Sequence, residues 1–258
     1  MNQRITPGTA LLLTAAPLLW AGNAVAGRLL HTLIPPVTLN FARWLLAFAL
    51  LLPLAWQVLR PSSPLWPHWR RYALLGLLGI GSYNALQYMA LQTSTPLNVT
   101  LVGSGTPVWM LLTGALCFGV LATISWALYS WLLVRTSEPA GVRGDWAAFL
   151  MAQMVFGLLW SGAFAAGEWS LGGAAPIVWG WPLAAGLAFI AVGPAILAYR
   201  CWGMGVQRAG PVAGGFFINL TPLFAAMLSA ALLGEVPHLY HALAFALIVG
   251  GIVVSSRR

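Results

Sequence analysis

Apolar runs of 17–24 residues recur along the chain, and polar or charged residues are confined to brief stretches between them. A helix crossing the roughly 30 Å hydrocarbon layer of a bilayer needs about 20 apolar residues. The pattern therefore predicts nine hydrophobic helical segments, at 9–27, 36–56, 72–92, 97–117, 118–134, 146–167, 176–199, 211–233 and 238–255. Pro35-Pro36 opens the second, Gln92-Thr93-Ser94-Thr95-Pro96 separates the third from the fourth, and Arg135 to Asp145 is the most hydrophilic stretch. Arg4, an apolar core and Ala24-Val25-Ala26 also fit a secretory leader. A later segment repeats this first run, which favours a retained helix.

The second regularity is an internal repeat, a common origin of membrane bundles. An offset of 115 lays Gln92 on Gln207, Pro96 on Pro211, Thr106 on Thr221, Pro107 on Pro222 and Gly119 on Gly234 without a gap. An offset of 106 pairs Trp20-Ala21 with Trp126-Ala127. The halves are thus about 1–119 and 120–258. After Gly234 the second half continues through Glu235 into a final run, whereas Gly119 leads straight into the Trp126 segment, so the first half lacks a fifth helix. As one continuous helix 97–134 would be about 57 Å long, nearly twice the hydrocarbon thickness.

Composition agrees with the pattern. Of 258 residues 60% are hydrophobic and 6% charged, which excludes a water-soluble globule. All 12 basic residues are arginines, set against Glu138, Asp145, Glu168 and Glu235. They sit singly or in pairs between apolar runs, so they form no nucleic-acid patch and read as topology signals. With an even number of spans, ten arginines share one side, Arg28 takes the other and Arg43 lies within a span. With nine spans the split is four to seven. The charges favour the even number, met either by a ten-span pattern that has lost one helix or by eight spans with 118–134 re-entrant or interfacial. Cys117 and Cys201 lie in or beside apolar runs and read as buried structural thiols.

Trp20-Ala21-Gly22-Asn23, Arg43-Trp44-Leu45-Leu46, Tyr88-Met89-Ala90-Leu91, the two Thr-Pro pairs and Leu232-Leu233-Gly234-Glu235 occur in an order and spacing that resembles the EamA family of the drug/metabolite transporter superfamily. The resemblance spans nearly the whole chain. It implies an all-α polytopic membrane protein of two inverted helical repeats, here 1–119 with four helices and 120–258 with five. It further implies export or exchange of small metabolites across the bacterial inner membrane. The sequence departs from the family pattern in the missing fifth helix and in Gly119-Val120, where the family shows Gly-Glu.

Polar groups inside a membrane are costly and mark pathways or partner contacts. Arg43 is the one arginine placed firmly inside a span, read either as an anion contact in the solute path or as a side chain snorkelling to the near interface. Tyr83, Asn84, Gln87 and Tyr88 fall on one side of a helix and are read as lining, against interhelical hydrogen bonding. Thr106-Pro107 and Thr221-Pro222 place prolines in mid-span, freeing a carbonyl one turn earlier, with Ser104 and Asn219 beside them in register. Broken helices paired between repeats point to a transporter binding site. Trp20, Trp126 and Asn23 complete the candidate set. Trp66, Trp69, Trp146, Trp179 and Trp181 read as interfacial anchors. Gly210 to Gly214 reads as a close helix contact, and His238 with His241 as an interfacial cap rather than a relay or metal site.

No enzyme signature, ATP-binding element, metal set or cofactor motif is present. The expected function is a multi-pass secondary transporter of small metabolites, exporter or exchanger, by alternating access. Its partners are the lipid bilayer and a solute for which Arg43 favours a carboxylate, with no nucleic acid and with homo-oligomerisation left open. The alternative is a transport-inactive remnant or scaffold produced by loss of one helix.

Overall fold

A computed structural model describes residues 6–103, 114–135, 145–172, 174–209 and 217–235, with 238, 242, 243 and 246, as helices and short connections. In chain order they form α1 (Pro7–Leu30), α2 (Pro36–Ala55, prolonged by a 3₁₀ turn Trp56–Leu59) and α3 (Trp69–Leu75, a π segment Gly76–Ser82, then Tyr83–Ala90). There follow α4 (Pro96–Gly103), α5 (Gly114–Arg135), α6 (Trp146–Ser170), α7 (Trp181–Ile190, a π segment Ala191–Leu197, then Ala198–Ala209) and α8 (Leu220–Leu233). Among the described residues, Pro7–Leu30, Pro36–Leu59, Trp146–Ser170 and Trp181–Val206 are each long and apolar enough to cross a membrane unaided. The chain is an all-α polytopic membrane protein.

Helix ends are fixed by side chains rather than by chance. The first N–H groups of a helix have no intrahelical acceptor. For α6 the Asp145 carboxylate accepts from Ala147 N at 2.9 Å and Ala148 N at 3.1 Å. For α2, which begins at Pro36, the acceptor comes from another helix: Glu168 takes Val37 N at 3.0 Å, Thr38 N at 2.7 Å and Thr38 Oγ1 at 2.7 Å. A negative charge there also suits the positive end of the helix. Gly234, at φ +68°, adopts the left-handed conformation that closes α8.

Contacts set the relative directions. Leu13, Leu19 and Leu30 of α1 meet Gly205, Gly193 and Gly186 of α7, so these two helices are antiparallel. The Glu168 cap makes α6 antiparallel to α2. Arg28, near the end of α1, donates to Leu91 O at 2.9 Å and Gln92 O at 3.1 Å, just beyond the end of α3, so α1 and α3 are parallel. The Arg200 guanidinium lies 5.2 Å from the Trp146 ring, which puts the start of α6 and the last third of α7 on one face. That face holds Arg60, Arg70, Arg71, Arg200 and Arg208, whereas Arg28, Glu168 and Glu235 sit at the opposite one. Exposed Trp56, Trp66 and Trp69 ring the basic face and exposed Trp169, Trp179 and Trp181 the other, as interfacial aromatic belts do.

The connection between the halves differs from expectation. The apolar stretch does not divide at 117/118, because α5 runs unbroken through Gly119. It packs antiparallel along α3: Phe118 lies in the cluster with Tyr88 and Leu91, Trp126 sits on Tyr83, Ser125 Oγ donates to Leu78 O, and Tyr129 covers Gly79. Val102 of α4 packs against Gly119, a pair that one straight helix would hold about 25 Å apart. The described parts of α4 and α5 are therefore not one straight helix; residues 104–113 between them lie outside the described residues. The described part of α4, Pro96–Gly103, is about 12 Å long. The 118–134 run, which the charges left as a re-entrant or interfacial candidate, lies within a 22-residue helix packed along α3. The end of α3 and the start of α6 lie on opposite faces, so Arg60, Arg70, Arg71 and Arg200 share one face.

The two π segments, Gly76–Ser82 and Ala191–Leu197, stand 115 residues apart, the offset that lays Gln92 on Gln207. In the first, Asn40 Nδ2 of α2 donates to Ile80 O at 2.9 Å and Gly81 O at 3.2 Å.

Candidate functional site

Polar residues that would be expensive on a lipid-facing surface converge on one cavity of about 240 Å³. Every described helix except α6 contributes. Trp20 and Asn23 come from α1, Arg43 from α2, Tyr83, Asn84 and Gln87 from α3, and Val99 and Thr100 from α4. Gly119, Ala122, Thr123 and Trp126 come from α5, Tyr199 from α7, and Ile218, Asn219 and Thr221 from the start of α8.

Arg43 is 1% exposed and does not snorkel. Its Nη1 donates to Asn23 Oδ1 at 2.9 Å, Asn84 Oδ1 at 3.0 Å and Tyr88 Oη at 2.8 Å, three acceptors sharing two hydrogens. The guanidinium also lies 4.7 Å from the Trp44 ring centre and 5.9 Å from that of Tyr88. The partners are themselves held. Tyr88 Oη donates to Asn23 Oδ1 at 2.6 Å, Asn23 Nδ2 to Gln87 Oε1 at 3.1 Å, and Asn84 Nδ2 to Gly79 O at 3.3 Å. Side chains that hold one another in this way form a stiff network. All of Arg43's partners are neutral, and its Nε is buried with no hydrogen-bond partner. The described acids lie elsewhere: Asp145 and Glu168 cap helices, and Glu235 approaches Arg28 at 3.8 Å.

The walls beside this cation are aromatic. Trp20 meets Trp126 edge-on at 6.0 Å and Tyr199 at 5.9 Å, and Tyr83 lies 4.9 Å from Trp126. The residues paired by the 106 offset, Trp20 and Trp126, thus touch each other in the middle of the bundle. Asn219 interrupts the helix before Leu220, and Pro222 follows in the first turn of α8. A proline at 222 has no N–H for Ile218 O, and Thr221 Oγ1 supplies the missing donor at 2.7 Å.

Nine of the residues singled out from sequence line the cavity: Trp20, Asn23, Arg43, Tyr83, Asn84, Gln87, Trp126, Asn219 and Thr221. Tyr88 lies behind the wall as a support of Arg43, and Pro222 is buried in α8. Ser104, Thr106 and Pro107 lie outside the described residues, as do Gly210 to Gly214 and His241. Cys201 is free and partly exposed rather than buried. Sequence reasoning passes over Tyr199, Thr100 and Thr123. Tyr199 carries a usable signal, since it lies 115 residues after Asn84.

Known proteins resemble this chain along its length. The pattern of the EamA-like transporter family matches residues 7–120 and again 113–257. A protein described as an uncharacterized transporter from Archaeoglobus fulgidus (strain ATCC 49558 / DSM 4304 / JCM 9628 / NBRC 100126 / VC-16) is 23% identical, with 97% of this chain and 98% of that protein covered. That alignment extends over 287 positions, more than the 258 residues present here. A solved structure described as a crystal structure of a protein shares the fold with a TM-score of 0.64 at 20% identity, covering 97% of this chain and 99% of that one.

Proposed function

The chain belongs to the EamA-like transporter family, and from that premise we propose that it is a secondary transporter of small metabolites, an exporter or exchanger working by alternating access. The halves 1–119 and 120–258 are then inverted repeats that rock about the cavity between them. The observation that carries this reading is the cavity itself. It is built from both halves, closed by the Trp20–Trp126 pair at their junction, and contains a buried cation without a protein counter-charge among the described residues. The opposed directions of α1 and α5, α2 and α6, α3 and α7 support the inversion. On the positive-inside rule the basic face is cytoplasmic, which suits a multi-pass protein of the bacterial inner membrane.

The second reading is a transport-inactive remnant. It is favoured by one observation, an alignment of 287 positions against a chain of 258 residues, a difference of 29, about one helix with a loop. The two readings separate in proteoliposomes loaded with a bacterial small-molecule extract, with release followed by mass spectrometry. A transporter releases particular solutes faster than protein-free vesicles do, and Ala122→Trp, which fills the cavity from α5, abolishes that release while the protein still elutes as a folded species. Release indistinguishable from empty vesicles supports the remnant.

A further inference from the structure

We propose that the cavity takes a planar organic monoanion of the size of an arylcarboxylate, its acid group on Arg43 and its ring among Trp20, Tyr83 and Trp126. The inference rests on the transporter reading for its purpose and on the site alone for its chemistry.

Three observations carry it. The first is donor geometry. Every hydrogen bond from Arg43 to a described residue leaves through Nη1, so Nη2 and the orphaned Nε remain, Nε shielded even from water so that a ligand oxygen reaches it only when the guanidinium shifts. The N–H bonds of Nε and Nη2 point the same way along one edge of the guanidinium, the fork that takes a carboxylate through two parallel bonds. A buried donor left unpaired is costly, and a ligand oxygen on that edge removes the cost.

The second is charge. Asp145, Glu168 and Glu235 are committed at helix ends, and Glu138, the remaining acid of the chain, lies in the polar stretch 136–144 outside the described residues. The cavity carries one positive charge and its described lining holds no carboxylate. One negative charge is matched. A second would meet no cation, and an ammonium group would meet no anion, each at the desolvation cost of an unpaired charge.

The third is shape. Rings at 4.9–6.0 Å from one another form flat apolar walls that suit edge-to-face contact with another ring. The cavity of about 240 Å³ has room for at least a single ring with one acid group. The hydroxyl protons of Thr100, Thr123 and Thr221 are spent on carbonyls of their own helices, and Arg43 is the one charged donor among the described lining residues.

The test is calorimetric titration of the purified full-length chain with benzoate, benzylamine, phenylalanine and phthalate, which share a ring and differ in charge. Benzoate is expected to bind at least tenfold more tightly than the other three. Arg43→Lys keeps the charge and loses the fork, and it should weaken benzoate at least tenfold. Because Arg43 also holds Asn23, Asn84 and Tyr88, the wild-type ranking decides even where the variant fails to fold. Equal or tighter binding of benzylamine, phenylalanine or phthalate overturns the inference and leaves the transporter reading standing. So does absence of binding by all four in a protein that still releases metabolites. Benzoate binding in a protein that releases nothing supports the site and refutes the transporter reading instead.

Discussion

The contact between α3 and α6 allows a prediction whose size follows from the distances. At Gly76 the two backbones touch: an added Cβ would stand 2.6 Å from Gly157 N and 2.8 Å from Gln153 O. Ordinary contact begins near 3.4 Å, so Gly76→Ala must part the helices by about 0.8 Å, and no side chain can yield to prevent it. A gap of that size forfeits roughly a quarter to a half of the dispersion energy of each atom pair it opens. Overpacking of this kind costs about 1–3 kcal/mol. Gly157→Ala meets a different obstacle, Ile80 Cγ2 at 2.5 Å, a side chain stiff at χ1 but removable. Gly167, on the same helix, has nothing within 4 Å of the added methyl, so Gly167→Ala should be neutral or stabilise by up to about 1 kcal/mol through helix propensity. Equilibrium unfolding in mixed detergent–SDS micelles, followed by far-ultraviolet circular dichroism, ranks the three. The expected order of loss is Gly76→Ala, then Gly157→Ala, with Gly167→Ala at or above wild type. Ile80→Ala should partly rescue Gly157→Ala and leave Gly76→Ala unrescued. A Gly76→Ala protein as stable as wild type, or rescued by Ile80→Ala, would refute the backbone contact.

Further expectations concern ends, carbonyls and sidedness. Glu168→Ala removes the cap of α2 and should cost about 1–2 kcal/mol in the same unfolding assay, with Glu168→Gln losing less; no loss in Glu168→Ala contradicts the cap. Thr221→Val orphans Ile218 O and should cost about 1–3 kcal/mol, whereas Thr221→Ser keeps the donor and should sit near wild type. Reporter fusions after Arg143 and after Arg208 should share the face reported by a fusion in the loop between Arg60 and Arg70, because the start of α6 and the end of α7 lie on that face; opposite faces would overturn this arrangement.

How far the sequence carries is visible in individual residues. Arg43 is legible because an arginine inside an apolar run has few affordable places to be. Tyr83, Asn84 and Gln87 are legible because helical spacing puts them on one side. The choice between lining and interhelical bonding is not, since Asn84 does both. The even number of crossings is legible in the arginines, which respond to sidedness and ignore packing. What 118–134 packs against is not: it is as apolar as 97–117, and its place is set by what Phe118, Trp126 and Tyr129 find on α3. The π segments leave no mark in hydropathy. Tyr199 escapes notice because a single tyrosine in a 24-residue apolar run looks like core until its register with Asn84 is considered.

The paired π segments have a consequence for rotational phase. An α-helix advances about 100° per residue, and a turn closed by i→i+5 bonds holds more residues than one closed by i→i+4. The halves of α3 on either side of Gly76–Ser82 are therefore angularly offset. The first half can set Gly76 against α6 while the second sets Asn84 and Gln87 toward Arg43, two aims that one uniform helix would have to compromise. Deleting one residue within 76–82 would turn the polar stripe by about 100° relative to the glycine contact, with composition and hydropathy almost unchanged. The same holds 115 residues later for Tyr199, which follows Ala191–Leu197 as Asn84 follows its own segment. In both rods the number of residues between the two faces, more than their identity, determines where the pathway side chains point.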